Sequence, residues 1–166
     1  MYSKHAGFTL MEIMVVVAIM GGLMGLAVTN MDFLMPSSRL NASAREIAST
    51  FMFMYNRAAI NGEDTVLAYD LDNARYQVKV IQNGVMEAYK PYNLAKGIKF
   101  ADILAAGERK KTGGTFEVYI APNGVVRAHV VHLQNPEGEY VSIEVNPISG
   151  DVQVNKGYKE LDFVLE

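Results

Sequence analysis

Residues 13–31 run for 19 positions without a charged side chain, and Ile13–Val28 contain no polar side chain at all. As a helix this stretch is about 29 Å long at ~1.5 Å per residue, close to the ~30 Å hydrocarbon core of a bilayer. Half of the 166 residues are hydrophobic, an ordinary proportion, so it is their concentration that matters. The first 35 residues read as a membrane segment, and the mixed sequence from Pro36 onward reads as one small soluble domain. Glu12 stands at the mouth of the apolar run. A charge at the centre of a membrane helix costs about 2.5–3.5 kcal/mol, and less near the interface. Glu12 therefore needs a reason and a partner, and downstream of it no Lys or Arg occurs before Arg39.

A secretory signal peptide would place small residues at a cleavage site beyond the apolar stretch, and Ala27 and Thr29 serve that purpose poorly. A plain membrane anchor leaves Glu12 unexplained. The segment Gly7-Phe8-Thr9-Leu10-Met11-Glu12, preceded by Lys4 and followed by the apolar run, resembles the processing site of type IV pilins and type II secretion pseudopilins. The resemblance covers about 25 residues. It implies that a prepilin peptidase cuts after Gly7 and that the new amino terminus, Phe8, is N-methylated. It also implies that Glu12 faces the terminal amine of a neighbouring subunit. The charge logic agrees, because cleavage creates an α-amine where an apolar bundle would otherwise hold a lone carboxylate. Ala18, Gly21, Gly22 and Gly25 add small residues at four-residue spacing, which let helices approach closely, although glycine is also common in membrane helices generally.

Pro36 removes a backbone donor, so a kink or break is expected near Phe33–Pro36, with Ser37 and Ser38 as restart caps. Leu40, Ala44, Ile47, Phe51, Tyr55 and Ala58 then recur at helical spacing, and Gly62 is a stop. From Glu63 the period changes to two. Strands are predicted around Tyr76–Val80, Phe116–Ile120, Val126–Val130, Val141–Val145 and Val152–Val154, with about seven in all. Turn signals separate them at Leu71-Asp72-Asn73, Asn83-Gly84, Pro122-Asn123-Gly124, Pro136-Glu137-Gly138 and Pro147–Gly150, the two Asn-Gly pairs being hairpin signals. Ala105–Gly114 reads as a flexible loop.

The runs Ala58-Ala59-Ile60-Asn61-Gly62, Phe116…Ile120-Ala121-Pro122-Asn123-Gly124 and Ile143…Ser149-Gly150-Asp151-Val152 resemble the GspH/FimT-type minor pseudopilins. That resemblance implies an α+β pilin-like fold, a long N-terminal helical spine with a membrane half and an amphipathic half, packed on an antiparallel β-sheet domain. The expected organisation is a leader at 1–7, a transmembrane and filament-core helix at 8–35, an amphipathic helix at 36–62 and a periplasmic sheet domain at 63–166. The implied function is that of a minor pseudopilin, a structural subunit of a type II secretion pseudopilus taking part in protein export. The alternative is a FimT-type minor type IV pilin acting in pilus assembly or DNA uptake. Implied partners are the prepilin peptidase, other major and minor pseudopilins through the N-terminal helix, and the bacterial inner membrane before assembly. The implied location is single-pass with a periplasmic C-terminal domain, then a periplasmic filament.

Catalytic and cofactor chemistry finds no foothold in the sequence. With no cysteine there is no thiol nucleophile or zinc-thiolate site. His129 and His132 lie three apart, hence on opposite strand faces, without a clear carboxylate partner; they read as surface histidines rather than a metal pair. Asp70 and Asp72 lack a downstream bidentate glutamate and read as a solvated turn. Gly113-Gly114 lacks the Lys-Ser/Thr of a phosphate loop. Arg109-Lys110-Lys111 offers phosphate contacts in principle, but beside Glu108, in a chain of net charge -3 and pI near 5.6, it reads as a solvated tip. No enzyme, cofactor or metal is expected, and DNA is not an expected partner.

Overall fold

A computed structural model describes residues 9–29 and 36–161, with backbone alone for 25–29. The chain divides into two compact units, residues 1–35 and 36–166. In the first, α1 spans Leu10–Thr29. Its side chains from Leu10 to Met24 are all exposed, and apolar residues lie on every side of it. A helix of that kind has no polar face to turn toward water and is stable only when surrounded by something apolar.

The second unit begins with α2, Pro36–Asn61. Proline is suited to a first helical position, where its missing N–H would have no partner and its φ is already helical. Pro36 is therefore the start of the helix, and the expected caps Ser37 and Ser38 fall inside its first turn. Ser37 instead donates its hydroxyl to Glu139 Oε2 at 2.5 Å. What joins the two helices lies outside the described residues. The predicted apolar face is buried through Leu40, Ala44, Ile47, Phe51 and Ala58, joined by Ala48 and Met54, while Tyr55 is half-buried at its edge. Gly62 ends the helix at φ +70, its N–H donating to Ala58 O at 3.0 Å; the left-handed conformation needed there favours glycine.

Nine strands follow among the described residues: β1 Asp64–Asp70, β2 Arg75–Gln82, β3 Val85–Ala88, β4 Tyr92–Asn93, β5 Lys99–Ala105, β6 Thr115–Ile120, β7 His129–Gln134, β8 Tyr140–Val145 and β9 Val152–Lys156. They make two antiparallel sheets rather than one. The first has the order β3-β2-β1-β6 with β4 beside β2, and the second the order β5-β7-β8-β9. Helix α2 contributes to one core with both sheets. This is the expected α+β architecture, a helix packed on antiparallel sheet.

Two differences from the sequence-based expectation have a physical cause. The strand placed at Val126–Val130 is shifted to His129–Gln134. Val126, Ala128 and Val130 are all buried, so the apolar alternation is real. However, residues 121–128 carry the chain from β6 of one sheet to β7 of the other, with Val126 making only an isolated bridge to Ile120. Strand β1 shows no alternation because Thr65–Tyr69 are buried on both faces, as expected for a covered central strand. Lys79 of β2 and Glu117 of β6 reach toward each other across β1 and pair at 2.6 Å.

The Asn-Gly pairs serve different purposes. Asn83 and Gly84, at φ 51 and 78, form the two-residue turn between Gln82 and its partner Val85, matching strand twist as a type I′ turn does. Gly124 lies under the ring of Tyr55, as does Gly150 of the β8–β9 turn. A Cβ on Gly150 would fall 2.2 Å from Tyr55 Cε2, and one on Gly124 2.7 Å from its hydroxyl oxygen. Gly150→Ala combines an overpacked site with a left-handed backbone at φ +66. It is expected to lower stability by about 2–4 kcal/mol, read as a reduced unfolding midpoint with unchanged denaturant slope.

Candidate processing and assembly site

The N-terminal motif reaches the described residues at Thr9. Thr9 stands immediately before α1, and Glu12 is the third residue of the helix. The Thr9 hydroxyl oxygen accepts the Glu12 N–H at 3.3 Å, and Glu12 Oε2 accepts the Thr9 N–H at 3.4 Å. This reciprocal pair is a capping box, which satisfies two otherwise orphaned donors at a helix start. A negative charge in the first turn is also favoured by the helix dipole. Within one chain, then, Glu12 already has hydrogen-bond partners, though no cation among the described residues is shown against it. The Thr-x-x-Glu signal was present in the sequence, and the capping role of Thr9 was missed. Gly7 and Phe8 lie outside the described residues.

From Ile13 to Met24 every side chain of the helix is apolar and exposed. A Cβ built on Gly21 or Gly22 meets nothing within 4 Å, so these positions leave a flat strip open to close approach by another helix. Among the described residues no helix is long and apolar enough to cross a membrane. The α1 sequence stays apolar through Gly25–Val28.

The constellations weighed in the soluble unit are placed as follows. His129 and His132 do face opposite sides of β7, but neither is a surface residue, for both are fully buried. His129 lies among Phe51, Tyr69 and Phe116, with ring centroids 5.9–6.3 Å away. Its Nδ1 is 2.8 Å from Arg127 O, while Nε2 has no hydrogen-bond partner among the described residues. On the other face, His132 has the carboxylate partner that the sequence did not suggest. Its Nδ1 lies 2.6 Å from Asp102 Oδ1. Lys110, expected in a free tip, pairs with Asp102 at 3.2 Å and with the Tyr158 hydroxyl at 2.9 Å. Lys111 bridges Ile103 through its backbone. The loop 105–114 is thus tied to β5 rather than loose.

Asp70 accepts from the Asn73 side chain and from Arg75, which hold its carboxyl below the usual range. Asp72 accepts the Gly114 N–H at 3.0 Å, so the two aspartates and the glycine pair fasten turns. No group of three or more potential metal ligands occurs among the described residues.

Burial pushes the His129 pKa down from 6.5 to about 4. The unfolded chain takes up that proton near pH 6.5, while the folded chain refuses it until about pH 4. The contribution is therefore fully present above pH 6.5 and is lost as pH falls between those values. It amounts to roughly 3 kcal/mol. Urea unfolding at pH 7 and pH 4.5 should show His129→Leu losing less stability on acidification than the parent chain.

Comparison with known proteins places these features. The model of the prokaryotic N-terminal methylation motif matches residues 2–28. No curated protein sequence matches the chain. Two solved structures of the minor pseudopilin EpsH from the type 2 secretion system of Vibrio cholerae share its fold. One has a TM-score of 0.61 at 11% identity, covering 74% of this chain and 99% of that one. The other has a TM-score of 0.62 at 12% identity, covering 74% and 97%. The chain thus carries a prokaryotic N-terminal methylation motif that runs into its apolar helix, followed by a helix-on-antiparallel-sheet unit with the fold seen in EpsH.

Proposed function

We propose that this chain is a minor pseudopilin, a structural subunit of a type II secretion pseudopilus that takes part in protein export. The observation carrying this reading is the coincidence, in one chain, of the methylation motif at 2–28 and the fold shared with EpsH. In this reading residues 1–7 are a leader, 8–35 the membrane and filament-core helix, 36–62 the amphipathic helix and 63–166 the periplasmic sheet domain. The precursor sits in the inner membrane as a single-pass protein. Prepilin peptidase cuts after Gly7, and Phe8 becomes the methylated terminus.

The mechanism is mechanical. Membrane and helix bundle are both apolar, so α1 passes from one to the other without exposing its surface to water. The Phe8 amine of one subunit then meets Glu12 of another. Before assembly the capping box gives the Glu12 carboxylate one hydrogen bond, from the Thr9 N–H, which eases the presence of a carboxylate at the membrane edge. The small-residue strip at Gly21 and Gly22 lets neighbouring helices close up. The basic loop 109–111 gives little support to the DNA-uptake alternative, since Lys110 is engaged with Asp102 and Tyr158.

Affinity capture of the full-length protein from its own cells, after chemical cross-linking, tests the assignment. Recovery of the other minor pseudopilins of the secretion system is expected. Recovery of type IV pilus subunits alone would assign it to the other machine.

A further inference from the structure

The outer face of the β5-β7-β8-β9 sheet would ordinarily meet water, yet Asp102, His132, Ser142 and Glu144 on that sheet are all buried. What covers them is the chain after β9. Gly157, in the left-handed region at φ +88, turns residues 157–161 back across the sheet. Tyr158 stacks on the His132 ring with centroids 3.8 Å apart and planes 13° from parallel. Its hydroxyl donates to Asp102 Oδ1 at 3.3 Å. Ser142 Oγ donates to Gly157 O at 2.7 Å and accepts the Lys159 N–H at 2.9 Å. Lys159 Nζ pairs with Glu144 at 2.5 Å.

His132 sits at the centre of this strap, and both of its nitrogens face acceptors. Nδ1 is 2.6 Å from Asp102 Oδ1, and Nε2 is 2.8 Å from the Lys159 carbonyl oxygen. Only a ring with two N–H groups makes both bonds. A neutral ring donates to one acceptor and turns a lone pair toward the other at contact distance, in a site closed to water. The charged groups around it are Asp102 on β5, Lys110 from the following loop, Glu144 on β8 and Lys159 on the strap. Tyr158 lies over the ring, and Tyr140 is edge-on to Tyr158 at 5.6 Å. The Asp102 carboxyl oxygens act as acceptors on every side, taking Lys110 Nζ at 3.2 Å and the Tyr158 hydroxyl at 3.3 Å.

We propose that residues 157–161 form a proton-gated strap, closed over the sheet while His132 carries both ring protons and released as rising pH removes one. Release uncovers the polar outer face of β5, β7 and β8. The device uses no residue of the processing motif, so it stands apart from the proposed assembly role.

The test is nitrogen-detected NMR of the full-length protein in detergent micelles with ¹⁵N-histidine, alongside amide hydrogen exchange at Tyr158 and Lys159. Two protonated nitrogens on His132 are expected at pH 6. Through the titration that removes one proton, strap protection should fall at least tenfold beyond the intrinsic base-catalysed change. His132→Phe, which keeps the stack on Tyr158 but neither hydrogen bond, should show low strap protection at every pH. A singly protonated His132 at pH 6, or strap protection that does not follow its titration, overturns the proposal. So does a folded His132→Phe protein whose strap protection at pH 6 equals that of the parent.

Discussion

Glu12→Leu is expected to insert into the membrane and to be cleaved, yet to be largely absent from assembled filaments. Insertion should survive because the change makes the run Ile13–Val28 longer and more apolar. Cleavage should survive because the bond after Gly7 is untouched. The loss falls on docking, where the Phe8 amine of a neighbour would enter an apolar bundle with no carboxylate to meet it. Breaking a buried charge pair costs about 3–5 kcal/mol, a factor of a few hundred or more in the docking equilibrium. The capping box supplies a control. Glutamine can close a Thr-x-x-Gln box as glutamate does, so Glu12→Gln keeps the helix start and removes only the charge. Sheared-filament fractions and cross-linking should show Gln failing nearly as badly as Leu. If Gln assembles normally while Leu does not, Glu12 acts as a helix cap. If both assemble normally, it is merely an interfacial residue.

Removing α2 should abolish folding of the soluble unit. Its fully buried side chains Leu40, Ile47, Phe51 and Met54 each contribute about 1.5–3 kcal/mol by leaving water, about 6–12 kcal/mol together. That equals the whole net stability of an ordinary domain, about 5–15 kcal/mol. The sheets would lose more than area. Leu67, Tyr69, Tyr76, Val131, Leu133 and Ile143 share one core with the helix and would face solvent. Ser43 would no longer accept the Ala95 N–H at 3.3 Å. Residues 63–166 alone should therefore give no cooperative urea transition, and Phe51→Ala in the intact chain should cost about 3–5 kcal/mol. A soluble, cooperatively folded 63–166 fragment would show that the sheets close on each other without the helix.

The parts of this fold that were legible in sequence are those where a local rule decides the outcome. The helix face from Leu40 to Ala58 follows spacing alone. The β2–β3 hairpin follows from Asn83-Gly84 and the strands on either side. The missed parts depend on what lies above or below. Strand β1 is covered on both faces and so lacks a period of two. Strand β5 has its register broken between Phe100 and Asp102, which hides its alternation. His132 points to the side its spacing predicts, but whether that side is wet depends on Gly157 turning the chain back over it. The pairing of Lys110 with Asp102 depends on the loop folding back beside β5 through the Ile103–Lys111 bridge.

At the N-terminus the situation is reversed. The sequence names Gly7, Phe8 and Glu12 together through the pilin-like motif, while the described structure begins only at Thr9. What the structure adds there is the capping partnership of Thr9 and Glu12, which explains how the carboxylate is held by one chain alone.

Mass spectrometry of the protein isolated from its native host tests the central claim most directly. The account predicts an amino terminus at Phe8 carrying one N-methyl group. A terminus at Met1, or one produced by cleavage near Ala27, would contradict it.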